Sequence, residues 1–247
     1  MPYSYCLYTL YQFYERGLTM SFYGPIYRST RGILRLILKR DQICYQSSNQ
    51  AHPAVYIAHH RNMYGPIHTL ISMSGNIRFW GLSVFYSRSE CFHQYYDYTF
   101  TKRMGMPRLF AAPAAGLAAL FIPALMKSGR SIPVYRSSRQ ITKTRKKSLA
   151  ALKHGDDLLI FPDLNYDSSD HNMGNIYSGF LHLERMYHKE TGQHLAFVPV
   201  SCNKEQRCIT VGEAIYFNDE SSFREQKDLI AARLVQTIND MNNESLS

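Results

Sequence analysis

The sequence predicts an α/β fold: a single domain in which helices flank a largely parallel central sheet. Short apolar runs typical of buried strands occur at residues 54–58, 131–135, 157–161, 195–200 and 207–211. Helical patterns lie between or after these runs, at about 138–153, 175–190 and 220–241. Short strands that alternate with helices in this way are typical of parallel sheets.

The elements have their own local signals. The run AVYIA at 54–58 follows Pro53 and leads into a polar turn, as a buried strand does. In the strand predicted at 131–135, Pro133 is expected at a sheet edge or at the strand start, because proline cannot donate to the ladder. The last helix is preceded by residues 218–222, which supply several N-cap candidates.

Length and composition favour one domain. A chain of 247 residues with 45% hydrophobic residues can bury a sizeable core. We divide it into an N-terminal aromatic segment, residues 1–25, and one domain, residues 26–242. The five cysteines are scattered and odd in number, so reduced thiols in a cytoplasmic protein are expected. The N-terminus lacks the regions of a secretory signal.

The charge is basic: 28 Lys and Arg against 19 Asp and Glu give a net +9. A basic surface attracts phosphate, whether in nucleic acid, anionic lipid or a phosphorylated small molecule. No nucleic-acid-binding signature accompanies the charge, so we expect no nucleic acid partner. A local basic run predicts either a solvated helix face or contact with anionic head groups or an acidic acyl carrier. It comprises Arg139, Lys143, Arg145, Lys146 and Lys147.

Two segments bear on membrane contact. Residues 26–40 place apolar side chains at helical spacing among basic ones, which is typical of a helix at a membrane surface or of one packed on the domain. Residues 109–126 carry no charge, but Pro113 and Pro123 interrupt them and basic residues flank both ends. We predict a buried or membrane-dipping helical hairpin there, with peripheral attachment to the inner face of the cell membrane.

Four short segments occur in a distinctive order. They read VYIAHHRNMYGP at 55–66, SGRSIPVYR at 128–136, LLIFPDLNYD at 158–167 and FVPV at 197–200. Their order and spacing resemble the four blocks of the lysophospholipid and glycerol-3-phosphate acyltransferases. In that family the blocks are a strand ending in Asn-His-x4-Asp, then Gly-x-Ile-Pro-Val-x-Arg, Phe-Pro-Glu-Gly-Thr-Arg and Val-Pro-Val. Residues 211–215 resemble the family's late Gly-Glu-Pro-Ile segment, and the resemblance covers roughly residues 30–240.

The resemblance implies that a histidine of the first block is a general base, which takes the proton of an acceptor hydroxyl. In the family a carboxylate five positions later orients the imidazole. Two registers are possible here, His59 with Tyr64 or His60 with Gly65, and neither supplies an acid. Asn62 matches a small polar residue that the family often carries two positions after the histidine. This match favours His60 as the base and implies that Asn62 lies at the substrate.

The missing acid leaves three alternatives. A carboxylate from another loop, Asp163 or Asp97, reaches His60. In the second alternative, the imidazole works unassisted or with a hydrogen bond to a carbonyl or to Tyr64. In the third, acyl transfer has been lost. We assign Asp163 a catalytic role beside His60.

The other blocks imply substrate contacts. Arg136 matches the family's arginine and is expected to bind the acceptor's phosphate, for which a guanidinium is well suited. Gly129 would allow the turn into the following strand. In the third block Asp163 replaces Glu, and Asn165 with its neighbours replaces Gly-Thr-Arg, so the family's second arginine is absent. The predicted substrate-binding residues are Arg136, Asn62, Gly129 and Asn165.

The resemblance therefore implies an enzyme of phospholipid biosynthesis. It would transfer a fatty acyl group from acyl-CoA or acyl-carrier protein to a hydroxyl of a lysophospholipid or related glycerolipid at an anionic membrane surface. The thioester would be attacked directly, because no serine or cysteine nucleophile motif accompanies the histidine. No further cofactor and no metal are expected, since the acidic stretch that ends in His171 fits no standard metal loop. The alternative is a non-catalytic lipid-binding relative.

Overall fold

The computed structural model describes residues 21–48, 50–135, 139–165 and 170–244. Of the predicted N-terminal aromatic segment 1–25, residues 21–25 fall within these ranges. The predicted phosphate-binding residue Arg136 lies outside the described residues.

A sheet of seven strands forms the centre of the described part of the chain. The strands are β1 (Gln42–Tyr45), β2 (Ala54–Ala58), β3 (Ile77–Leu82), β4 (Ile132–Val134), β5 (Asp157–Ile160), β6 (Ala196–Asn203) and β7 (Cys208–Val211). Their order is β1-β7-β6-β2-β5-β3-β4, and each neighbouring pair is parallel except β6 with β7. The prediction of one α/β domain with a largely parallel sheet is confirmed.

Helices cover both faces of this sheet. They are α1 (Pro25–Ile37), α2 (Tyr64–Ser72), α3 (Arg88–His93), α4 (Arg108–Ser128), α5 (Ile141–Lys153), α6 (His182–Thr191) and α7 (Phe223–Glu244). A π-helical segment, Gln94–Arg103, continues α3, and short 3-10 turns lie at Ser83–Tyr86 and Ser178–Leu181. All the strands and helices predicted from the sequence overlap an observed element.

The core lies on both sides of β2, which is buried along its whole length. Because successive side chains of a strand point to opposite faces, Val55 and Ile57 pack with side chains of α5, α6 and α7. Tyr56 packs on the other face with Tyr27 of α1 and Met126 of α4. Burial on both faces explains why this strand is apolar without alternation.

The predicted hairpin at residues 109–126 is wrong. The segment lies within α4, a single helix that continues through Pro113 and Pro123. Each proline removes one main-chain hydrogen bond, but neither ends the helix. Packing offsets that loss, because one face of α4 is buried against the domain. The buried residues on that face are Ala111, Ala115, Ala119, Pro123 and Met126.

Candidate active site

The topology brings the first and third sequence blocks to one edge of the sheet. Strands β2 and β5 are parallel neighbours, with Ile57 opposite Ile160. Residues that follow them therefore emerge side by side at the carboxyl ends of the strands, the edge at which α/β folds usually bind ligands. His59 and His60 follow β2, and Asp163 follows β5.

Asp163 holds this histidine turn with both carboxylate oxygens. Oδ1 lies 2.5 Å from Nδ1 of His59, and Oδ2 accepts a hydrogen bond of 2.8 Å from the backbone N–H of His60. The side chains of His59 and Asp163 are each 4% exposed. One carboxylate from the loop after β5 therefore contacts both the ring of His59 and the backbone of His60.

The second ring nitrogen of His59 is also occupied, since Nε2 lies 3.1 Å from the carbonyl oxygen of Asp170. A carbonyl accepts only, and so does an ionised carboxylate. Both hydrogen bonds can therefore form only if each ring nitrogen carries a proton, or if a proton between Nδ1 and Asp163 is shared by the two groups. In this conformation His59 has no ring nitrogen available to take a proton from a substrate. Its ring is held in place rather than presented to solvent.

His60 differs from its neighbour in exposure. Its side chain is half-buried, and its ring meets the edge of Phe161 at a centroid distance of 5.8 Å and an interplanar angle of 77°. Phe161 belongs to the third block, like Asp163. Both the backbone and the ring of His60 are therefore positioned by the segment that follows β5.

The turn after the histidines has an unusual backbone. Arg61 and Asn62 both have positive φ angles, 41° and 58°, a region that residues other than glycine rarely adopt. Side-chain contacts hold them there. Arg61 donates to Glu205 at 2.6 Å, and Asn62 accepts from Arg103 at 3.0 Å. Strain of this kind is concentrated at functional sites, where the surrounding structure enforces it.

Gly65 is tightly packed against the same turn. Its N–H donates to the carbonyl oxygen of His60 at 3.1 Å. A Cβ at this position would collide with the carbonyl oxygen of His59 and lie 2.9 Å from that of His60. The backbone of α2 therefore approaches the turn more closely than any residue with a side chain allows. An aspartate at position 65 is incompatible with this arrangement.

Tyr64, the partner in the other motif register, takes part in a different buried network. Its hydroxyl donates to Oδ2 of Asp41 at 2.6 Å, and its ring stacks on His68 at 4.0 Å. Oδ2 of Asp41 also lies 2.9 Å from Nδ1 of His68, and Oδ1 lies 3.0 Å from Arg207. Burial raises the pKa of Tyr64 and lowers the pKa of His68. This network anchors the first turns of α2, directly after the histidine turn.

The structure brings together some of the predicted site residues. His60, Asp163 and Asn62 share one edge, and Asn165 is exposed there two positions after Asp163. Strand β4 also ends near this edge, with Val134 opposite Leu82, and Arg136 follows it outside the described residues.

Two predicted candidates lie elsewhere. Gly129 precedes β4, three strands from β2, which corresponds to about 14 Å across a sheet. A Cβ there would lie 2.8 Å from the ring of Tyr27, so Gly129 is a packing position in this structure. Asp97, the other carboxylate named as a partner for His60, lies on the exposed π-helical segment and pairs with His93 at 3.0 Å.

Sequence reasoning did not single out the pairing of His59 with Asp163. The signal was present, because both residues follow apolar runs expected to be neighbouring parallel strands. The His-x4-Asp spacing instead places the expected acid at position 65, or at position 64 in the other register.

No protein-family model matches the sequence, and no curated protein matches it either. Among solved structures, the chain is similar to the crystal structure of the 1-acyl-sn-glycerophosphate (LPA) acyltransferase PlsC from Thermotoga maritima. The two share 12% sequence identity with a TM-score of 0.47, over 95% of this chain and 88% of that chain. The chemistry of the site therefore rests on this chain's own residues.

Proposed function

We propose that the protein transfers a fatty acyl group from an acyl thioester to a hydroxyl of a lysophospholipid or related glycerolipid. The observation that carries this proposal is the placement of Asp163, whose two oxygens contact the His59 ring at 2.5 Å and the His60 backbone at 2.8 Å. A histidine turn held by a carboxylate suits proton abstraction from a hydroxyl. The four sequence blocks supply the substrate class.

His60 is the general base of the proposed reaction. Its imidazole takes the hydroxyl proton while the acceptor oxygen attacks the thioester carbonyl carbon. A C–O bond forms, the C–S bond breaks, and the leaving thiolate takes the proton back from the imidazolium. His59 and Asp163 act as positioning residues, because His59 has both ring nitrogens occupied.

Basic side chains near the same edge suit an anionic substrate or donor. Helix α5 begins after β4 and exposes Lys143, Lys146 and Lys147. The ammonium group of Lys143 lies 5.9 Å from the ring centroid of Tyr135, which directly follows β4. Arg136 lies between these elements in the sequence. We propose that this region binds the acceptor's phosphate or the phosphate groups of the acyl carrier.

Two helices packed against each other supply a surface for the membrane. Helix α1 exposes 89% of Leu36 and 72% of Ile37, and α4 exposes 80% of Leu109 and 70% of Leu117. Helix α4 is also long and apolar enough to cross a bilayer, and 28% of its apolar window is buried in the protein. We propose that these faces attach the protein peripherally to an anionic membrane, on the inner face of the cell membrane.

Labelled acyl-CoA and acyl-carrier protein, each offered with a panel of lysolipids in vesicles, test the reaction. Transfer by the native protein that falls at least about 100-fold in His60→Ala supports the proposal, in line with the loss of a general base. His93→Ala is the matched control, because His93 also pairs with an aspartate but lies exposed at the end of α3, outside the histidine turn. A larger loss in His59→Asn than in His60→Ala would assign the base to His59.

A non-catalytic lipid-binding relative is the second candidate. It is favoured by the His59 ring, whose Nε2 is held on the carbonyl of Asp170. Lipid binding without transfer, from both donors and across the panel, would replace the acyltransferase proposal with this one.

A further inference from the structure

A second cluster of histidines and carboxylates lies at the opposite edge of the sheet from the histidine turn. Glu184 and His188 are one helical turn apart in α6, so their side chains share a face. Gly192, with φ of 71°, ends α6 and turns the chain back toward that face. His194 then precedes β6. The helix and the start of the strand thus bring three metal-ligating side chains together.

The local contacts fix this arrangement. Oε2 of Glu184 accepts a hydrogen bond of 2.8 Å from the backbone N–H of Leu195, and Oε1 lies 2.7 Å from Nδ1 of His194. The rings of His188 and His194 stack, with centroids 4.4 Å apart and an interplanar angle of 15°. Glu184 is buried, and both rings are half-buried. The cluster is therefore built into the fold and is not a chance meeting of mobile surface side chains.

The ligand atoms lie close to the spacing that one metal ion requires. One atom each from Glu184, His188 and His194 lie within 4.8 Å of one another. Oδ1 of Asp219 lies 3.8 Å from Nε2 of His188 and 3.5 Å from Nε2 of His194. In a tetrahedral zinc site, bonds of about 2.0–2.2 Å put neighbouring ligand atoms about 3.3 Å apart. Glu184 lies at Nδ1 of His194 and Asp219 at Nε2, so binding one ion requires a side-chain rotation that brings both carboxylates to the same nitrogen. The Asp219 side chain is 84% exposed and has room to rotate.

Two further observations favour a cation. In the described part of the chain, the buried Nδ1 of His188 has no hydrogen-bond partner, which is costly for a buried polar atom. The cluster is also open to solvent, because the side chains of His188 and His194 are partly exposed and a cleft of about 290 Å³ borders His194. Two carboxylates around two imidazoles supply the negative charge that a divalent ion needs.

We propose that Glu184, His188 and His194, with Asp219 as the fourth ligand, bind a divalent transition-metal ion, with Zn²⁺ the best match. Imidazole nitrogen combined with carboxylate oxygen suits zinc, whereas calcium and magnesium prefer sites made of oxygen alone. Four protein ligands would close the coordination sphere, as in structural sites. The ion would join α6, the start of β6 and the loop before α7. This departs from the expectation that the chain binds no metal, which rested on the spacing of a different acidic stretch.

Zinc binding to the purified full chain, after dialysis against a chelator, tests the proposal independently of any acyltransferase activity. Calorimetric titration with Zn²⁺ is expected to show one ion per chain, and His188→Ala and His194→Ala should each weaken binding at least tenfold. Saturating zinc should raise the Tm of the native protein by several degrees, and the rise should disappear in both variants. His154→Ala is the matched control, because His154 also faces an aspartate but belongs to no such cluster.

If a histidine variant does not fold, Asp219→Asn still tests the site. The Asp219 side chain is 84% exposed, so this variant is expected to fold. Weaker zinc binding in Asp219→Asn, with the unbound Tm unchanged, supports the site. The proposal is overturned if the native protein binds no zinc and its Tm does not respond. It is also overturned if zinc binds equally well to the native protein, to Asp219→Asn and to every histidine variant that folds.

Discussion

The strand pair β2–β5 carries a histidine–aspartate pair at each end, and the two pairs differ in exposure. At the amino end, Asp157 lies 3.0 Å from Nδ1 of His52 and accepts the backbone N–H of Ala54 at 2.9 Å. At the carboxyl end, Asp163 makes the corresponding contacts with His59 and the backbone N–H of His60. The His52 side chain is 58% exposed, and that of His59 is 4% exposed.

The same local pattern therefore has two uses. At the amino end, the imidazole lies mostly in water and the carboxylate mainly satisfies the N–H of Ala54 at the start of β2. At the carboxyl end, the imidazole is enclosed, and a second histidine is placed beside it at the edge where α/β folds bind ligands. A histidine–aspartate contact alone is thus a weak functional signal, and burial and position give it meaning.

The largest difference between the two ends is expected on removing the carboxylates. Asp163→Ala should cost about 3–5 kcal/mol of unfolding free energy, because it leaves a buried imidazole without its charged partner and the His60 N–H without an acceptor. Asp157→Ala should cost about 1–3 kcal/mol, mainly for the N–H of Ala54. Urea unfolding of both variants measures the difference, and equal losses would contradict the contrast.

Removing the histidines should give a larger ratio between the stability costs at the two ends than removing the aspartates does. His59→Ala is expected to cost about 2–4 kcal/mol, because the Asp163 carboxylate stays buried without the imidazole that it holds. His52→Ala should cost less than about 0.5 kcal/mol, as is usual for an exposed side chain. Thermal unfolding of the pair of variants tests this. A comparable cost at both positions would mean that exposure does not set the strength of these pairs.

Position 65 tests whether the histidine turn can accept the aspartate that the His-x4-Asp motif of the proposed acyltransferase function would place there. Gly65→Asp should not raise acyl transfer, and it should destabilise the fold by about 1–3 kcal/mol or more, because the new Cβ collides with the backbone of His59. Gly65→Ala, which adds the Cβ alone, should account for most of this cost. Higher activity in Gly65→Asp would show that the turn relaxes and that Asp163 replaces the acid only partly.

A small effect that depends on pH is expected at Glu205, which anchors Arg61 in the same turn. The hydrogen bond from Arg61 holds the pKa of Glu205 below its usual 4.5. An acid with a lowered folded-state pKa adds stability that is present above pH 4.5 and is lost as the pH falls through the lowered value. Since Glu205 is half exposed, Glu205→Gln should cost under about 1 kcal/mol at pH 7, and this cost should shrink as the pH falls through the lowered pKa of Glu205. A loss that is independent of pH would contradict this assignment.

Much of the fold followed from the sequence because the buried strands are continuous apolar runs. The strand at 54–58 was predicted with its observed bounds, and those at 157–161 and 207–211 differ by one residue. β1 and β3 were missed, since QICY is exposed or half-buried throughout and IRFWGL buries only Ile77 and Phe79. Their strand character comes from pairing with β7 and β5, which local pattern does not reveal.

The candidate site was predictable in part. The sequence singled out Asp163 as a partner for His60, but its contact with the His59 ring depends on a register that only the three-dimensional pairing of β2 and β5 defines. The cluster of Glu184, His188 and His194 was not predicted. Its ligands fit no metal-binding spacing in the sequence, and the turn at Gly192 and the stacking of the rings bring them together.

The double contact of Asp163 also has a consequence for engineering this chain. One carboxylate fixes the ring of His59 and the backbone of His60, and a bridge to Ile176 in turn fixes Asp163. The first and third sequence blocks therefore form one structural unit, although about a hundred residues separate them. Replacing either block alone with a different sequence would leave the histidine turn without its matching anchor, so a redesign must change the two blocks together.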